Sequence, residues 1–381
     1  MSLWADKYRP KDLDDLDFHH ENTRRLKAMA KTGEFPHILI YGPPGAGKKT
    51  RVLATLKQLY GSGVEKLKVD IKSFALPSGR KLEFNVISSP FHLEITPSDM
   101  GNNDRIVIQD LLKEIAQVES IDFSKIAHVA AYDEAKDKLI PKKRFKVVVI
   151  NEAELLTRDA QAALRRTMEK YSANIRLILI CNSTSNIIDP IKSRTLPIRI
   201  AAPKPAECSQ VLDSILAKEN HAKKVFPDSL EDRIPIFEKI CIASNRNLRM
   251  CIMMMEAMYM NNDTIDVTTP ALIPDWIEVI KGISVSICKD RSVSQLQQTR
   301  SALYELLSHS IPAKLILKRL TLSIWSSLIF LDLPSRSLIQ RQIVSASSIF
   351  DERLSLGSKD IFHLEGFVTR VMVIIEKELI C

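Results

Sequence analysis

Between His37 and Ile200 the chain repeats one pattern, a short run of consecutive apolar residues followed by a longer stretch of helical periodicity. The apolar runs are His37-Ile38-Leu39-Ile40-Tyr41, Phe91-His92-Leu93-Glu94-Ile95, Lys146-Val147-Val148-Val149-Ile150, Arg176-Leu177-Ile178-Leu179-Ile180 and the shorter Pro197-Ile198-Arg199-Ile200. Branched runs of this length fit strands buried on both faces, and their alternation with helices predicts a parallel sheet covered on both sides. Helices are expected over Arg51 to Tyr60 and Ile106 to Val118. Pro203 and Pro205 punctuate a change to a purely helical stretch from about Glu207 to Met260. Six of the eleven methionines lie between Met250 and Met260, and a packed helix core is a better reading of them than an adaptable binding surface. Residues 261–274 are rich in Asp, Asn, Thr and Pro and read as a linker. From Trp276 onward the spacings of Ala302, Leu303, Leu306 and Leu307, and of Leu315, Leu317 and Leu320, are helical again. The expected division is an α/β domain over 1–202, a small helical domain over 203–270 and an all-helical domain over 271–381.

Composition narrows the class. With 45% hydrophobic and 26% charged residues, the 381-residue chain is ordinary globular material and not disordered. No apolar run approaches the ~18–20 residues of a membrane span, and the N-terminal MSLWADKYRPKDLDDLD lacks the apolar core of a secretory signal. The net charge of +8 is unevenly placed: residues 1–200 hold 33 basic and 25 acidic side chains, residues 201–381 hold 21 of each. A polyanion partner is therefore expected for the first half. The six cysteines have no short-spaced pair and the eight histidines are dispersed, which points to a reducing compartment and gives no reason to expect a metal site.

The segment richest in chemistry is Gly42-Pro43-Pro44-Gly45-Ala46-Gly47-Lys48-Lys49-Thr50, between a strand pattern and a helix pattern. Glycines let successive backbone N–H groups curl around a polyphosphate, the helix N-terminus adds its positive dipole end, and Lys48 reaches the terminal phosphates. The hydroxyl that normally ligates Mg²⁺ is missing, because Lys49 stands there. Thr50 cannot replace it, since one helical residue onward is a rotation of ~100°. The acidic end of the strand at 147–150 departs in the same direction: Asn151 stands where the metal-holding aspartate belongs, and Glu152 follows it. Glu152 is either a water-activating carboxylate or a structural remnant of one. Both substitutions remove metal ligands, so nucleotide binding is expected without efficient magnesium-dependent hydrolysis.

Further residues carry a resemblance. Asn182 follows the Arg176–Cys181 strand, Ser193-Arg194-Thr195 follows Pro190, and Asn247-Leu248-Arg249 opens a helix. Trp4-Ala5-Asp6-Lys7-Tyr8-Arg9-Pro10 and the run from Asp159 through Arg165, Arg166 and Glu169 are also distinctive, as is the segment Phe350 to Lys359. Together these resemble the small subunits of replication factor C, clamp loaders of the AAA+ family, and in particular the kind with a degenerate nucleotide site. The likeness extends over nearly the whole chain.

The resemblance implies an AAA+ P-loop domain, a helical lid and a helical collar that builds a five-subunit ring. It implies that ATP, ADP or another purine nucleotide is held by Tyr8, Arg9, Pro10, Gly42, Pro43, Pro44, Gly45, Ala46, Gly47, Lys48, Lys49, Thr50, Asn182 and Arg249. Arg194 matches the arginine that acts on the neighbouring subunit's nucleotide, with Thr195 replacing the family's cysteine. Read as residues alone, Arg194 is also an ordinary surface arginine, Asn182 a strand-end cap and Arg249 a solvated helix charge. Asn102, Asn103 and Arg105, where a helix opens, are the expected contacts to primer–template DNA, made to phosphates without sequence specificity. The basic run Lys142, Lys143, Arg144 and Lys146 reads better as a solvated loop. The segment Gln117 to Phe123 is the expected neighbourhood of contact with the sliding clamp PCNA. The implied setting is the nucleus and DNA replication and repair, with other replication factor C subunits as partners and alternative large subunits of checkpoint and cohesion loaders as further ones. A self-sufficient AAA+ DNA-dependent ATPase is the competing enzyme reading, and a purely structural adaptor the competing non-enzyme one.

Overall fold

The structure, a computed structural model, describes residues 2–33, 35–75, 81–97, 101, 103–126, 145–172, 174–219, 221–328 and 336–380. It forms two compact units, 1–272 and 273–381.

In the first unit, the five apolar runs form strands β1 (Ile38–Tyr41), β4 (His92–Ile95), β5 (Lys146–Ile150), β6 (Ile175–Cys181) and β7 (Leu196–Arg199). They pair in parallel in the order β4-β5-β6-β1-β7. Alternation within each strand feeds two separate cores. Val148, Ile150, Leu177 and Leu179 point to one face, packed beneath α4 (Asp104–Ile126) and α5 (Arg158–Lys170). Val147, Val149, Ile178 and Ile180 point to the other, beneath α2 (His20–Thr32) and α3 (Lys48–Tyr60). Helix α4 continues to Ile126, beyond the boundary that periodicity suggests.

Two further strands extend the sheet beyond the parallel core. Strands β2 (Lys68–Ala75) and β3 (Lys81–Ser88) form an antiparallel hairpin, and β3 pairs antiparallel with β4, so the seven-stranded sheet is mixed. Phe84 and Val86 alternate into the core, whereas Val69 and Ile71 on β2 are exposed. That half-buried alternation is a weaker signal than a continuous apolar run.

His37, at the head of β1, ties two strands through its side chain: Nδ1 accepts the Leu177 N–H at 3.0 Å. An accepting ring nitrogen requires the unprotonated form. Burial, helped by the nearby Arg176 guanidinium, pushes the His37 pKa down from 6.5 to about 4. The unfolded chain therefore takes up this proton first. The His37 contribution to stability is complete above pH 6.5 and is lost as pH falls toward about 4. Urea midpoints measured over that window should fall with a shallower slope in His37→Gln; an unchanged slope would exclude this histidine as the source.

The helices α7 (Pro205–Lys218), α8 (Leu230–Ala243) and α9 (Leu248–Asn261) pack around their own core. Ser229 and Asn247 cap α8 and α9 by accepting the N–H of Asp232 and Met250. Met254, Met255 and Met258 are buried while Met253 and Met260 face out, so the methionine run is one ordinary amphipathic helix. Cys208, Cys241 and Cys251, far apart in sequence, bring their thiols within 4.8 Å of one another. All three are fully buried, and among the described residues no fourth ligand joins them to complete the closed tetrahedral set that a structural zinc takes. They pack here as small hydrophobes.

The second unit is all helical: α10 (Asp275–Lys289), α11 (Val293–Ser308), α12 (Ala313–Ser327), α13 (Arg336–Leu356) and α14 (Asp360–Ile380). Its core joins Ile283 and Ile287, Leu303 and Leu306, and Leu317, Leu320 and Ile324 to Phe367, Val368 and Val371. No described helix is long and apolar enough to cross a membrane.

Candidate functional site

Strand β1 delivers the chain into Gly42, and α3 leaves the loop at Lys48. Two glycines make that passage sterically possible. A Cβ on Gly42 would lie 1.8 Å from the Ile200 carbonyl oxygen, and one on Gly45, where φ is +73°, would lie 1.7 Å from Asn247 Oδ1. The loop is thus gripped between the residue after β7 and the cap of α9. Pro43 and Pro44 lie exposed on its outer side and Ala46 is buried beneath. Gly47 occupies the N-cap of α3.

Lys48 is buried, and its ammonium donates to the carbonyls of Gly42 at 2.6 Å and Pro43 at 3.0 Å and to Asn182 Oδ1 at 2.8 Å. Burial pulls its pKa down; the Glu154 carboxylate opposes that and Arg249 reinforces it. Asn182 donates in turn to Glu154 Oε1, through Nδ2 at 2.6 Å and its backbone N–H at 3.0 Å. Glu154 Oε2 is buried and has no hydrogen-bond partner among the described residues. The carboxylate joined to the loop is therefore Glu154, which sequence reasoning passed over. Glu152 is exposed with left-handed backbone (φ 51°) at the entry to a short 3-10 turn, Ala153–Leu155.

The N-terminal segment links the helical subdomain to the loop. Trp4, in α1 (Trp4–Lys7), stacks on Tyr259 at 5.4 Å and donates its backbone N–H to Glu256 at 3.0 Å. Lys7 ion-pairs with Glu219, and the Tyr8 hydroxyl donates to the same carboxylate at 2.5 Å. Burial raises the Tyr8 pKa, and the Glu219 hydrogen bond adds to the rise. Arg9 Nε donates to Thr50 Oγ1 at 3.1 Å, and Pro10 is half-buried beside it. Burial lowers the Arg9 pKa and the Arg249 charge lowers it further. Arg249, exposed in the first turn of α9, thus acts on both Arg9 and Lys48. Three cations from three parts of the chain converge at one loop, an arrangement that a polyanion relieves.

Lys49 and Asn151 meet at a residue the motif search did not single out. Glu94, buried on β4, forms an ion pair with the Lys49 ammonium and accepts from Asn151 Nδ2 at 2.7 Å. Asn151 Nδ2 also lies 3.4 Å from Thr96 Oγ1.

Arg194 follows the short helix α6 (Asp189–Lys192). Its Nε donates to Glu169 at 2.7 Å and its Nη1 to the Pro190 carbonyl at 2.9 Å, while Nη2 makes no hydrogen bond among the described residues. The Arg194 hydrogen bond holds the Glu169 carboxyl below its ordinary pKa. Thr195 is buried and donates to the Ile191 carbonyl at 3.0 Å. Glu169 was visible only as part of a motif; its service to Arg194 depends on α5 lying beside α6.

Arg105 is exposed in the first turn of α4, and Asn103 just before it is half-buried. Asp104 between them is buried and accepts both the backbone N–H and the hydroxyl of Thr157, at 2.7 and 2.8 Å, which locks α4 to the cap of α5. Asn102 and the basic positions 142–144 lie outside the described residues, as do the side chains of 117–123; Lys146 opens β5.

The chain matches the family models "Replication factor C subunit 3, C-terminal domain" over residues 276–379, "RCF1/5-like, AAA+ ATPase lid domain" over 210–260 and "DNA polymerase III, delta subunit" over 18–204. It is 51% identical to replication factor C subunit 5 of Saccharomyces cerevisiae, covering 98% of this chain and 99% of that protein. Identity is 47% to replication factor C subunit 5 of Neurospora crassa, covering 100% and 99%. Replication factor C subunit 3 of Homo sapiens is 39% identical, covering 99% and 97%. On these full-length likenesses, and with an AAA+ nucleotide loop followed by lid and helical C-terminal regions, the chain belongs to the replication factor C family of clamp-loader subunits.

Proposed function

We propose that this clamp-loader subunit holds a purine nucleotide, ATP or ADP, without hydrolysing it efficiently, and lends Arg194 to the nucleotide of a neighbouring replication factor C subunit. The observation that carries the first half is a glycine loop with the Lys48 ammonium bonded inside it, Arg9 bonded to its Thr50, and Arg249 in the first turn of the helix whose cap grips Gly45. Glycine contacts that no side chain would tolerate hold that loop in shape. Non-hydrolysis follows from Lys49 and Asn151, which replace the two groups that hold Mg²⁺ in P-loop enzymes. Glu152 then has no metal-bound phosphate to act on, which favours the remnant over the working base. The second half is supported by the bonds that fix the Arg194 guanidinium through Nε and Nη1 while Nη2 makes none among the described residues.

The subunit's part in loading the sliding clamp PCNA onto primer–template DNA follows from family membership. Arg105, with Asn102 and Asn103, and the segment 117–123 are the proposed contacts. Such DNA contacts are to phosphates and weaken as salt rises. Nuclear residence, and service beside alternative large subunits in checkpoint and cohesion loaders, belong to the same proposal. The division into nucleotide domain (1–202), lid (203–270) and collar (271–381) assigns these roles in order along the chain.

Turnover of the isolated full-length chain separates this reading from a self-sufficient ATPase. The chain should bind ATP and ADP stoichiometrically while releasing phosphate far more slowly than the assembled complex. Robust Mg²⁺-dependent turnover, abolished by Lys48→Ala, would overturn it in favour of the motor enzyme.

A further inference from the structure

P-loop enzymes hold their nucleotide through Mg²⁺, a small hard cation that takes oxygen ligands in octahedral geometry. The residues here do not fit that ion. The first turn of α3 presents an ammonium, Lys49, where a hydroxyl would ligate the metal, and the strand end presents a carboxamide, Asn151, where a carboxylate would. The carboxylate beside these two residues, Glu94, has a side chain only 5% exposed and is committed: Lys49 forms an ion pair with it, and Asn151 Nδ2 donates to the same Oε1 at 2.7 Å.

We propose that the Lys49 ammonium, anchored by Glu94 and Asn151, takes the place of Mg²⁺ beside the nucleotide, so that this site binds its ligand without a metal. The inference rests on the nucleotide-binding reading above.

The three residues form a matched set. Glu94 lies on β4 directly opposite Val149 of the neighbouring strand, so Asn151, two residues further on, stands beside its side chain. An aspartate at 151 would put a second carboxylate against Glu94, and such a pair needs a cation between them to ionise together. With asparagine there, one carboxylate and one ammonium balance, and the amide donates to the carboxylate. A dication would meet an ammonium there, a compact positive charge on a flexible stem, rather than an oxygen ligand. Lys49 remains about a third exposed, enough for its ammonium to offer a second hydrogen to a phosphate oxygen while Glu94 retains the first. The substitution exchanges a divalent ion that must be captured from solution for a monovalent charge built into the helix.

The test is equilibrium binding of ATP and of ADP to the full-length chain, in Mg²⁺ and in EDTA. The unaltered chain should bind equally well in both. Lys49→Ala should lose about tenfold in affinity in EDTA, the worth of one charge-assisted hydrogen bond. The paired change Lys49→Thr with Asn151→Asp rebuilds the oxygen ligands and should make binding depend on Mg²⁺ by about tenfold or more. Thermal melting of each variant checks that it has folded, and the paired variant tests for a gained dependence that misfolding cannot mimic. Tight binding by the unaltered chain in Mg²⁺ that collapses in EDTA overturns this inference alone. Failure to bind in either buffer overturns the nucleotide reading and this inference with it.

Discussion

Arg194→Ala, introduced into the assembled complex, is expected to slow hydrolysis at the neighbouring subunit's nucleotide by ~10³-fold or more, because an arginine acting in trans on a transferred phosphoryl group is worth that much. Little of this loss should come from stability, since Arg194 sits at a surface turn and its ion pair with Glu169 is about half exposed. Single-turnover hydrolysis in the reconstituted complex, with nucleotide binding measured alongside, checks it. The bonds described above refine the expectation. Glu169 and the Pro190 carbonyl fix the guanidinium through Nε and Nη1. Glu169→Gln should therefore give a smaller loss of rate than Arg194→Ala, with nucleotide affinity unchanged. Arg194→Lys keeps a charge but not the planar fork, and should recover little. Unchanged hydrolysis and clamp loading in Arg194→Ala would remove the role altogether.

Lys48→Ala carries the second largest effect. The ammonium is buried and makes three hydrogen bonds to protein oxygens, one of them through Asn182 to Glu154. On the proposed function its removal takes away the charge-assisted bonds expected to the nucleotide, and affinity for ATP and ADP should fall by ~10–100-fold in the full-length chain. The same change takes the Lys48 charge away from Glu154, whose Oε2 has no hydrogen-bond partner among the described residues. A stability loss of about 1–3 kcal/mol in the first unit is expected with it. Calorimetric titration and thermal melting separate the two effects. Unchanged affinity would mean that Lys48 serves only to tie the loop.

Legibility differed from element to element for physical reasons. The parallel core was plain because strands buried on both faces need continuous apolar runs, as in 146–150 and 176–180. The β2–β3 hairpin went unread because one of its faces is in solvent: Val69 and Ile71 are exposed, and Phe84 and Val86 alternate with polar residues. A strict count of period two around Pro77-Ser78-Gly79 could have found it. The glycine loop, Lys48 and the two metal-side substitutions were legible because their chemistry depends on adjacency in sequence.

The roles of Glu94, Glu154, Glu169 and Glu219 were not legible, because each acts on a residue 25 or more positions away. An isolated glutamate carries no local pattern. The same holds for Cys208, Cys241 and Cys251, whose convergence requires three helices to meet.

By itself, then, the sequence determined the parallel core strands in their order along the chain, the glycine loop and the two residues, Lys49 and Asn151, that depart from its usual pattern, since periodicity and short motifs are written into neighbouring residues. Tertiary structure alone decided which carboxylates serve those residues: Glu94 for Lys49, Glu154 for Asn182 and Lys48, Glu169 for Arg194. A buried or half-buried charge must find its partner across space, and the strand register and helix packing that supply it are properties of the folded chain.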